Sequence, residues 1–438
     1  MKVLKFGGTS VGSAQRMKDV AKLIVGDRKL VVLSAMSGTT NSLVEISDYL
    51  YKKNPDGANE IINRLAMKYN DHIDELYHSE EYKQKAKEHV KAIFNLIRTF
   101  TKDLFTLFEE RIILAQGEML STGMMNLYLN EQGVNSVLLP ALDYMRTDKN
   151  AEPDPMYIKE KLTKLLDQHK DAELFITQGY ICRNAYGEID NLQRGGSDYT
   201  ASLIGAALGS EEIQIWTDID GMHNNDPRIV DKTSPVRNLH FEEAAELAYF
   251  GAKILHPTCI LPAKLNNIPV RLLNTIEPNA PGTLISNATE RKKIKAIAAK
   301  ENITAIKIKS GRMLLATGFL RKVFEIFENY QTPIDMVTTS EVGVSVTIDN
   351  RKHLEEIVDD LKKYGTVTVD PDMVIICVVG DLDWENVGFE SRIVESLHTV
   401  PVRMISFGGS NYNVSLLVKA SDKKRALQAL SDHLFNNL

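Results

Sequence analysis

The sequence KFGGTSVG at Lys5–Gly12 joins an apolar strand, Val3–Phe6, to Gln15–Val25, whose apolar residues have helical spacing. Glycines at such a junction let backbone N–H groups approach phosphate oxygens, and a helix N-terminus adds positive potential. Lys5 could reach the same phosphates as a point charge, and Thr9 and Ser10 could cap the helix with their hydroxyls. The stretch predicts a phosphate site after a first strand; an ordinary tight turn is the alternative.

Short apolar strands alternate with helical patterns from residue 2 to about 285, which predicts a mostly parallel sheet covered by helices. The predicted strands are Val3–Phe6, Leu30–Ser34, Val137–Leu139, Leu174–Gln178, Ile213–Thr217 and Val270–Leu273. Between Asn41 and about Gln132 the pattern is helical throughout. Long amphipathic helices are predicted there, among them Ala58–Tyr77 and Glu80–Phe108.

The composition changes near residues 277–300, where turn formers and the charge run Glu290–Lys293 predict a domain boundary. Beyond it, strands and helices alternate as nearly two βαββαβ units, one strand short of a full pair. We therefore expect a catalytic domain at 1–286 and a regulatory region at 300–438. Its two modules would cover about 303–370 and 371–438, with an exchange of strands between them left open. Such modules suit ligand sensing, dimerisation or both.

The overall composition is that of an ordinary globular protein, with 438 residues, 43% apolar residues and a net charge of -6. This mild charge argues against nucleic acid or an anionic membrane as the main partner, and no apolar run approaches the length of a membrane span. The three cysteines, Cys182, Cys259 and Cys377, are far apart in the sequence. They predict free thiols of a reducing cytoplasm, with no disulfide framework or zinc site.

Three further clusters supply glycines and charged residues. The first, Asn191–Thr200, follows the predicted strand Leu174–Gln178 and precedes an Ala/Gly-rich helix, for which Ser197 could be the N-cap and Asp198 a first-turn acid. Arg194 would suit a substrate carboxylate. The other clusters are Trp216–Arg228 and Phe250–Pro257; each could also be an ordinary surface loop. Because no nucleophile and base are paired, lysines, arginines and glycine loops indicate phosphoryl transfer.

Taken together, the motifs resemble the amino acid kinase superfamily and, within it, the aspartate kinases. The match is in order and covers nearly the whole chain. It comprises KFGGTSVG (Lys5–Gly12), LSAMSGTTN (Leu33–Asn41), QGEMLS (Gln116–Ser121), RGGSDYTA (Arg194–Ala201), WTDIDG (Trp216–Gly221), DPR (Asp226–Arg228) and GAKILHP (Gly251–Pro257). The resemblance implies a three-layer α/β kinase domain followed by two ferredoxin-like ACT modules.

The implied reaction is ATP-dependent phosphorylation of the β-carboxylate of L-aspartate, with Mg²⁺, in the pathway to lysine, threonine and methionine. A carboxylate with a pKa of about 4 is already ionised at pH 7, so no general base is needed. The alternatives are a glutamate, N-acetylglutamate or UMP kinase of the same superfamily, or a non-catalytic amino-acid sensor. Because the sequence ends at Leu438, without a fused dehydrogenase, a monofunctional enzyme is expected.

The resemblance also assigns the residues of the catalytic site. Its ATP-binding positions are Lys5, Phe6, Gly7, Gly8, Thr217, Asp218, His223, Arg228, Lys253 and Ile254. Its aspartate-binding positions are Thr40, Glu118, Arg194, Gly195, Gly196 and Ser197. Lys5, Asp198 and Lys253 are the implied catalytic residues, with Asp198 organising the lysine and the metal. No protein metal ligand is assigned beyond this, and His223 stands where related enzymes commonly have Tyr.

The C-terminal region resembles the paired ACT modules of lysine-sensitive aspartate kinases, in which lysine binds between modules of two subunits. The implied effector positions are Met313, Gly318, Phe319, Leu320, Asp335, Thr339, Ser340 and Glu341. Feedback inhibition by lysine is therefore expected. Ala316 and Pro333 replace serines expected near the effector, which leaves lysine favoured over threonine, with no feedback as the alternative. A homodimer or higher oligomer through the ACT modules is expected.

Overall fold

The structure, a computed structural model, describes residues 1–102, 104–192, 195–252, 255–311 and 317–436. By internal contacts the chain divides into two compact units. The first contains Met1–Met222 and Ile254–Asn287, and the second contains His223–Lys253 and Ala288–Leu438. Within the described residues, the helices are too short or too polar to cross a lipid bilayer.

The strands of the described residues follow in chain order. They are β1 Lys2–Phe6, β2 Lys29–Leu33, β3 Ser136–Leu139, β4 Leu174–Gln178, β5 Ile181–Arg183, β6 Ile189–Asn191, β7 Ile213–Thr217, β8 Met222–His223, β9 Pro235–Val236, β10 Asn238–His240, β11 Val270–Asn274, β12 Thr283–Ser286, β13 Ile294–Lys309, β14 Val337–Ser340, β15 Gly343–Ile348, β16 Thr366–Gly380, β17 Met404–Ser406 and β18 Asn413–Lys419.

The α-helices are named in the same way. They are α1 Ala14–Ile24, α2 Thr39–Tyr51, α3 Pro55–Leu76, α4 Glu80–Thr99, α5 Leu107–Glu131, α6 Pro155–Gln168, α7 Gly196–Leu208, α8 Phe241–Tyr249, α9 Pro257–Leu265, α10 Phe319–Asn329, α11 Leu354–Lys362, α12 Phe389–Ser396 and α13 Lys423–Ser431.

The first unit is built on a sheet with the strand order β12-β11-β7-β1-β2-β4-β3. Six of these strands, β11 to β3 in that order, run parallel, and β12 pairs antiparallel with β11. Because parallel strands place their carboxyl ends at one edge, the loops after β1, β2, β4 and β7 meet there. The predicted parallel α/β sheet is confirmed.

A large core joins this sheet to the helices α1 to α5. Its buried members include Phe6 on β1, Met17 on α1 and Ile62 on α3. The predicted helical layer is present, but the predicted helix Glu80–Phe108 is wrong at its end: α4 stops at Thr99. A new helix starts after Thr106, whose hydroxyl accepts a hydrogen bond from Phe108 N–H while Glu109 accepts one from the Thr106 N–H. This capping box terminates the helical pattern that the sequence suggested was continuous.

The second unit contains an antiparallel sheet with the order β14-β15-β13-β16-β18-β17. Two hydrophobic cores lie on it. One includes Phe319, Val346 and Leu361, and the other includes Ile297, Ile376 and Leu427. β13 contributes to both cores, with residues 294–300 paired to the end of β16 and residues 303–309 paired to its start. Its first half thus supplies the strand that the sequence pattern lacked.

Candidate functional site

The loop after β1 is packed against the loop after β2. Ser34 N–H donates to Phe6 O at 3.2 Å, and Ser37 N–H donates to Gly8 O at 3.1 Å. A Cβ atom on Gly8 would lie 2.7 Å from Ala35 O, so a larger residue would force the two loops apart. Phe6 itself is buried and stacks on Trp216, which leaves its backbone as the part that a ligand could reach.

Lys5 lies at the end of β1 and pairs with Asp198 in the first turn of α7. Lys5 Nζ is 2.7 Å from Asp198 Oδ1, and the two side chains are 12% and 17% exposed. A Cβ atom on Gly7 would lie 3.4 Å from this ammonium, so the cation lies against the glycine turn. Two of the predicted catalytic residues are therefore in direct contact.

The start of α7 is shaped by glycines. Gly195 and Gly196 have φ angles of +78° and +50°, a region that favours glycine. The helix begins at Gly196, with Gly195 as its N-cap, so the expectation that Ser197 caps it is wrong. Ser197 instead accepts a hydrogen bond from Ser34 Oγ at 2.9 Å, which ties α7 to the loop after β2. Arg194 lies outside the described residues.

The N-cap of α1 also differs from the expectation. Ser13 is its N-cap and accepts from Arg16 N–H at 3.2 Å, so neither Thr9 nor Ser10 has that role. The backbone oxygen of Thr9 accepts from Arg16 Nη1 at 2.9 Å, and Ser10 Oγ donates to Thr275 Oγ1 at 3.4 Å. The glycine loop is thus fixed from both sides.

Glu118 lies in the middle of α5 and is buried. Its Oε1 accepts from Ala35 N–H at 3.1 Å, and Ser121 on the same helix donates to Ser34 O at 2.7 Å. Burial raises the pKa of Glu118 to about 7, although the hydrogen bond from Ala35 opposes the shift. A cation bound next to Glu118 would stabilise its ionised form, because the cation offsets the cost of burying the negative charge.

The other predicted substrate and nucleotide positions of the first unit lie on neighbouring loops. Thr40 is exposed in the first turn of α2, and Thr217 ends β7 beside β1. Thr217 Oγ1 accepts from Ile219 N–H at 3.2 Å, and Asp218 is exposed. These positions follow strands that end at the same edge as β1.

Two predicted nucleotide positions, His223 and Arg228, belong to the second unit. His223 Nδ1 is 2.9 Å from Thr233 Oγ1. Arg228 is exposed and pairs with Asp226 through two bonds of 2.9 and 2.6 Å. The guanidinium holds the pKa of Asp226 below its usual range. Lys253 and Ile254 lie outside the described residues.

The predicted effector positions are spread over the first part of the antiparallel sheet. Gly318 is the N-cap of α10 with φ +87°, and Phe319 is buried while Leu320 is exposed. Thr339, Ser340 and Glu341 are exposed at the end of the edge strand β14. Met313 and Ala316 lie outside the described residues.

Asp335, a further effector position, is part of a cluster that the sequence did not predict. Its side chain is 1% exposed and its Oδ1 lies 2.6 Å from Lys300 Nζ and 3.0 Å from the Tyr249 hydroxyl. Lys300 also pairs with Asp349 at 2.9 Å and lies over the Tyr249 ring. Burial raises the pKa of Asp335, and Lys300 opposes the shift. The sequence around Lys300 contains no motif that would have predicted this cluster.

The motifs LSAMSGTTN and QGEMLS contain Ser34 and Ser121, but they did not predict that these hydroxyls connect the loop after β2 to α7 and α5. Among the described residues, no three His, Cys, Asp or Glu side chains are grouped to hold a metal ion. The site therefore offers cations, backbone donors and isolated carboxylates, and this set suits anionic ligands that bring their own counter-ion.

Residues 1–274 match the model of the amino acid kinase family, and residues 376–434 match an ACT domain model. The chain belongs to the amino acid kinase family. Its relatives include aspartokinase 1, chloroplastic, of Arabidopsis thaliana, which is 36% identical over 99% of this chain and 80% of that protein.

Two solved structures of Escherichia coli aspartokinase III are similar over the whole chain. The complex with aspartate and ADP (R-state) is 31% identical with a TM-score of 0.84, covering 99% of this chain and 100% of that one. The complex with lysine and aspartate (T-state) is 32% identical with a TM-score of 0.80, covering 99% of each chain. Within its family, the chain is thus similar to aspartokinases.

Proposed function

We propose that the protein is an aspartate kinase, which transfers the γ-phosphoryl group of ATP to the β-carboxylate of L-aspartate. The observation that carries the proposal is the ion pair between Lys5 and Asp198, whose ammonium lies next to Gly7. The buried carboxylate of Glu118 supports it, since it accepts a hydrogen bond from Ala35 in the neighbouring loop. A carboxylate oxygen attacks the γ-phosphorus, the bond to the β,γ-bridging oxygen breaks, and its electrons leave with ADP. The product is 4-phospho-L-aspartate, and no proton is transferred.

Charge is the main obstacle, because the attacking carboxylate and the γ-phosphate are both anions. Lys5, with the N–H groups of the Gly7-Gly8 turn, offsets this repulsion and stabilises the transferring phosphoryl group. Asp198 orients the Lys5 ammonium through the 2.7 Å contact. Thr217, Asp218, His223, Arg228, Lys253 and Ile254 complete the proposed nucleotide contacts.

The amino acid is held at its charged ends. Glu118 pairs with the substrate ammonium, which lowers the pKa of the carboxyl from its raised value and keeps it ionised. Arg194 binds a substrate carboxylate, and Gly195, Gly196, Ser197 and Thr40 line the same pocket. This preference for an ammonium group favours a free amino acid over N-acetylglutamate or UMP.

Mg²⁺ enters with ATP in this proposal, since phosphate oxygens supply most of the ligands that the ion prefers. The described residues offer no preformed set of three metal ligands. Asp198, next to the catalytic lysine, is the side chain that would contact or orient the Mg²⁺–ATP complex. The ion would offset phosphate charge during transfer.

The second unit is proposed to regulate the enzyme. The E. coli structure with bound lysine supports lysine as the effector, acting by a higher affinity for a less active conformation. Asp335, Thr339, Ser340 and Glu341 are proposed contacts, together with Met313 and Gly318–Leu320. A homodimer through the ACT modules and a role in lysine, threonine and methionine synthesis follow from the same resemblance. A cytoplasmic location stays a prediction.

Trapping the acyl phosphate with hydroxylamine tests reaction, substrate and feedback together. We expect aspartyl hydroxamate from aspartate and ATP, at least about 100-fold less product from glutamate, and less product with lysine present. Preferential reaction with glutamate would overturn the substrate. Lysine binding without any ATP turnover would instead support the non-catalytic sensor, and unchanged turnover with lysine or threonine would remove the feedback.

A further inference from the structure

A second partly buried ion pair lies near the proposed substrate site. Arg111 Nη1 on α5 is 3.1 Å from Asp190 Oδ2 on β6, and the side chains are 23% and 10% exposed. The other oxygen, Asp190 Oδ1, accepts from Asn191 N–H at 2.8 Å. One carboxylate thus holds both the end of its own strand and the helix α5.

Arg111 lies on the helix that carries the proposed substrate-binding residue Glu118, and Asp190 lies on β6, the strand that precedes α7 in the chain. Arg111 precedes Glu118 by two turns on α5, about 10 Å along the same face of the helix. Asp190 lies six residues before Gly196, the first residue of α7 and a proposed substrate contact. The pair therefore joins the helix that would bind the ammonium to the strand that precedes α7.

The chain after Asp190 has little freedom. The hairpin β5–β6 is short, with Asp190 opposite Cys182. Leu192 is buried and its N–H donates to Tyr180 O at 2.7 Å, while Tyr180 N–H donates to Thr200 Oγ1 of α7. A displacement of β6 would therefore be passed to the start of α7.

Tyr180 supports this arrangement independently. It has φ +69°, a strained value for a residue with a side chain. Burial, together with the nearby carboxylates of Glu118 and Asp190, raises the pKa of its phenol to about 12. Both carboxylates therefore act on the same hydroxyl.

We propose that Arg111 and Asp190 are positioning residues, which set the distance between Glu118 and the start of α7, where Gly196 and Ser197 would line the substrate pocket. The inference rests on the proposed function, because it needs Glu118 and the start of α7 to bind aspartate. Small misplacements of binding groups weaken substrate binding strongly, whereas a purely structural pair would affect the stability of the fold alone.

Asp190→Asn and Arg111→Gln test the inference through separate kinetic constants. In each variant we expect KM for aspartate to rise about 5- to 20-fold, kcat to change less than about 3-fold and KM for ATP to stay the same. The reversed pair, Arg111→Asp with Asp190→Arg, should bring KM for aspartate back to within about 3-fold of the original value, because the attraction is restored.

Glu212→Gln is the matched control. Glu212 Oε2 lies 3.0 Å from Arg271 Nε, with side chains 13% and 32% exposed, and so resembles the Arg111–Asp190 pair. Glu212 directly precedes β7, at the sheet edge opposite the site. We expect a similar drop in thermal midpoint and an unchanged KM for aspartate.

Provided that the wild-type protein makes aspartyl phosphate, two results would overturn the inference. One is an unchanged KM for aspartate in folded Asp190→Asn and Arg111→Gln variants. The other is an equal rise in both KM values without rescue by the reversed pair. If Asp190→Asn does not fold, Arg111→Lys decides, since it keeps the charge and shortens the reach: KM for aspartate must rise at least about 2-fold. Failure of the wild-type protein to phosphorylate aspartate would instead refute the proposed function.

Discussion

Lys5 is the residue on which the proposed chemistry depends most, and its geometry defines a test. Lys5→Ala removes the cation that opposes the charge of two anions, so we expect kcat to fall about 100- to 1,000-fold, as for the loss of one transition-state donor. The effect on KM for aspartate should be small. Steady-state kinetics measure both constants.

Lys2→Ala provides the control, because Lys2 lies on the same strand and is exposed. Its kcat should equal that of the wild-type protein. Near-normal turnover in Lys5→Ala would refute the proposed role of the ammonium.

Glu118 makes a second residue-scale prediction, about pH. Its folded pKa is about 7, above the usual value of an exposed glutamate, so in the free enzyme the carboxyl is increasingly protonated below pH 7. A protonated Glu118 cannot pair with the substrate ammonium. We therefore expect kcat/KM for aspartate to fall as pH decreases from 8 to 6, whereas kcat at saturating aspartate falls less because the bound ammonium lowers this pKa.

Glu118→Gln should have a lower kcat/KM that no longer changes over this range. A wild-type profile that is flat between pH 6 and 8, or an unaltered slope in the variant, would show that another group titrates. Glu110→Gln is the control, because Glu110 is a half-buried acid of the same helix whose Oε2 accepts a hydrogen bond from the Tyr51 hydroxyl.

The motifs predicted which residues would come together, but they could not predict how hydroxyls would be used. Lys5 and Asp198 are 193 positions apart and meet as expected. Ser197, by contrast, bonds to Ser34 rather than capping its helix. N-cap preference is a local property, whereas the Ser34 contact depends on how β2 and α7 pack, and no local pattern encodes that.

At the scale of elements, the close packing of the two glycine-bearing loops is the feature with the clearest consequence. Gly8→Ala would place a methyl group 2.7 Å from Ala35 O and push apart the loops after β1 and β2. Because both loops carry proposed ligand contacts, we expect kcat/KM to fall at least about 10-fold. Steady-state kinetics and thermal unfolding measure the effect.

Gly409→Ala is the comparison for this change, since a Cβ atom there meets open space at an ordinary φ angle. It should leave both activity and the thermal midpoint unchanged. Equal behaviour of the two variants would contradict the packing argument.

The Lys300–Asp335 pair in the second unit makes an element-scale prediction about stability. Lys300→Met leaves the buried carboxylate of Asp335 without its cation, which we expect to reduce the free energy of unfolding by about 3–5 kcal/mol at pH 7. Burial already raises the pKa of Asp335, and losing Lys300 raises it further. Stability of the variant should therefore increase as pH falls from 7 to 5, because the folded state takes up the proton more readily.

Urea unfolding at several pH values tests this, with Lys300→Met/Asp335→Asn as the paired variant. The second change should recover part of the lost stability and remove the added pH dependence. The same pH dependence in both variants would assign it to a different carboxyl.

Periodicity predicted most strands and helices to within a few residues, but it failed where the chain changes partners. The helix expected to continue from Glu80 to Phe108 ends at Thr99, because the amphipathic pattern does not reveal the capping box at Thr106. The hairpin β5–β6 was also missed, since strands of three residues are too short for a period to be recognised.

At the scale of the whole molecule, the structural units do not follow the order of the sequence. Residues 223–253 belong by contacts to the second unit, although the sequence places them inside the expected catalytic domain. Val230, in this segment, is buried in the core that contains Ile376 and Leu427. A composition change near residue 290 cannot reveal such an insertion, because compact units are defined by long-range contacts.

Val230→Ala tests this division. Removing two buried methyl groups should cost about 1–3 kcal/mol, and hydrogen exchange should become faster at the amides of β16 and β18 than at those of β1 and β2. Val20→Ala, at a buried position of α1 in the first core, should have the opposite pattern. Faster exchange of β1 and β2 in Val230→Ala would assign residue 230 to the first unit.

The two long strands β13 and β16 each pass through both cores of the antiparallel sheet. The proposed regulatory region can therefore be transferred to another protein only if the sequences are joined outside these two strands. A crossover near residue 370 would combine the start of β16 from one parent with the end of β16 from the other. Residues 294–300 of β13 would then pair with a strand end from the other parent. The exchangeable piece is residues 223–253 together with residues 294–436, because Val230 lies in the core that contains Ile376 and Leu427. Chimeras built on one ACT module alone should therefore fail at the join.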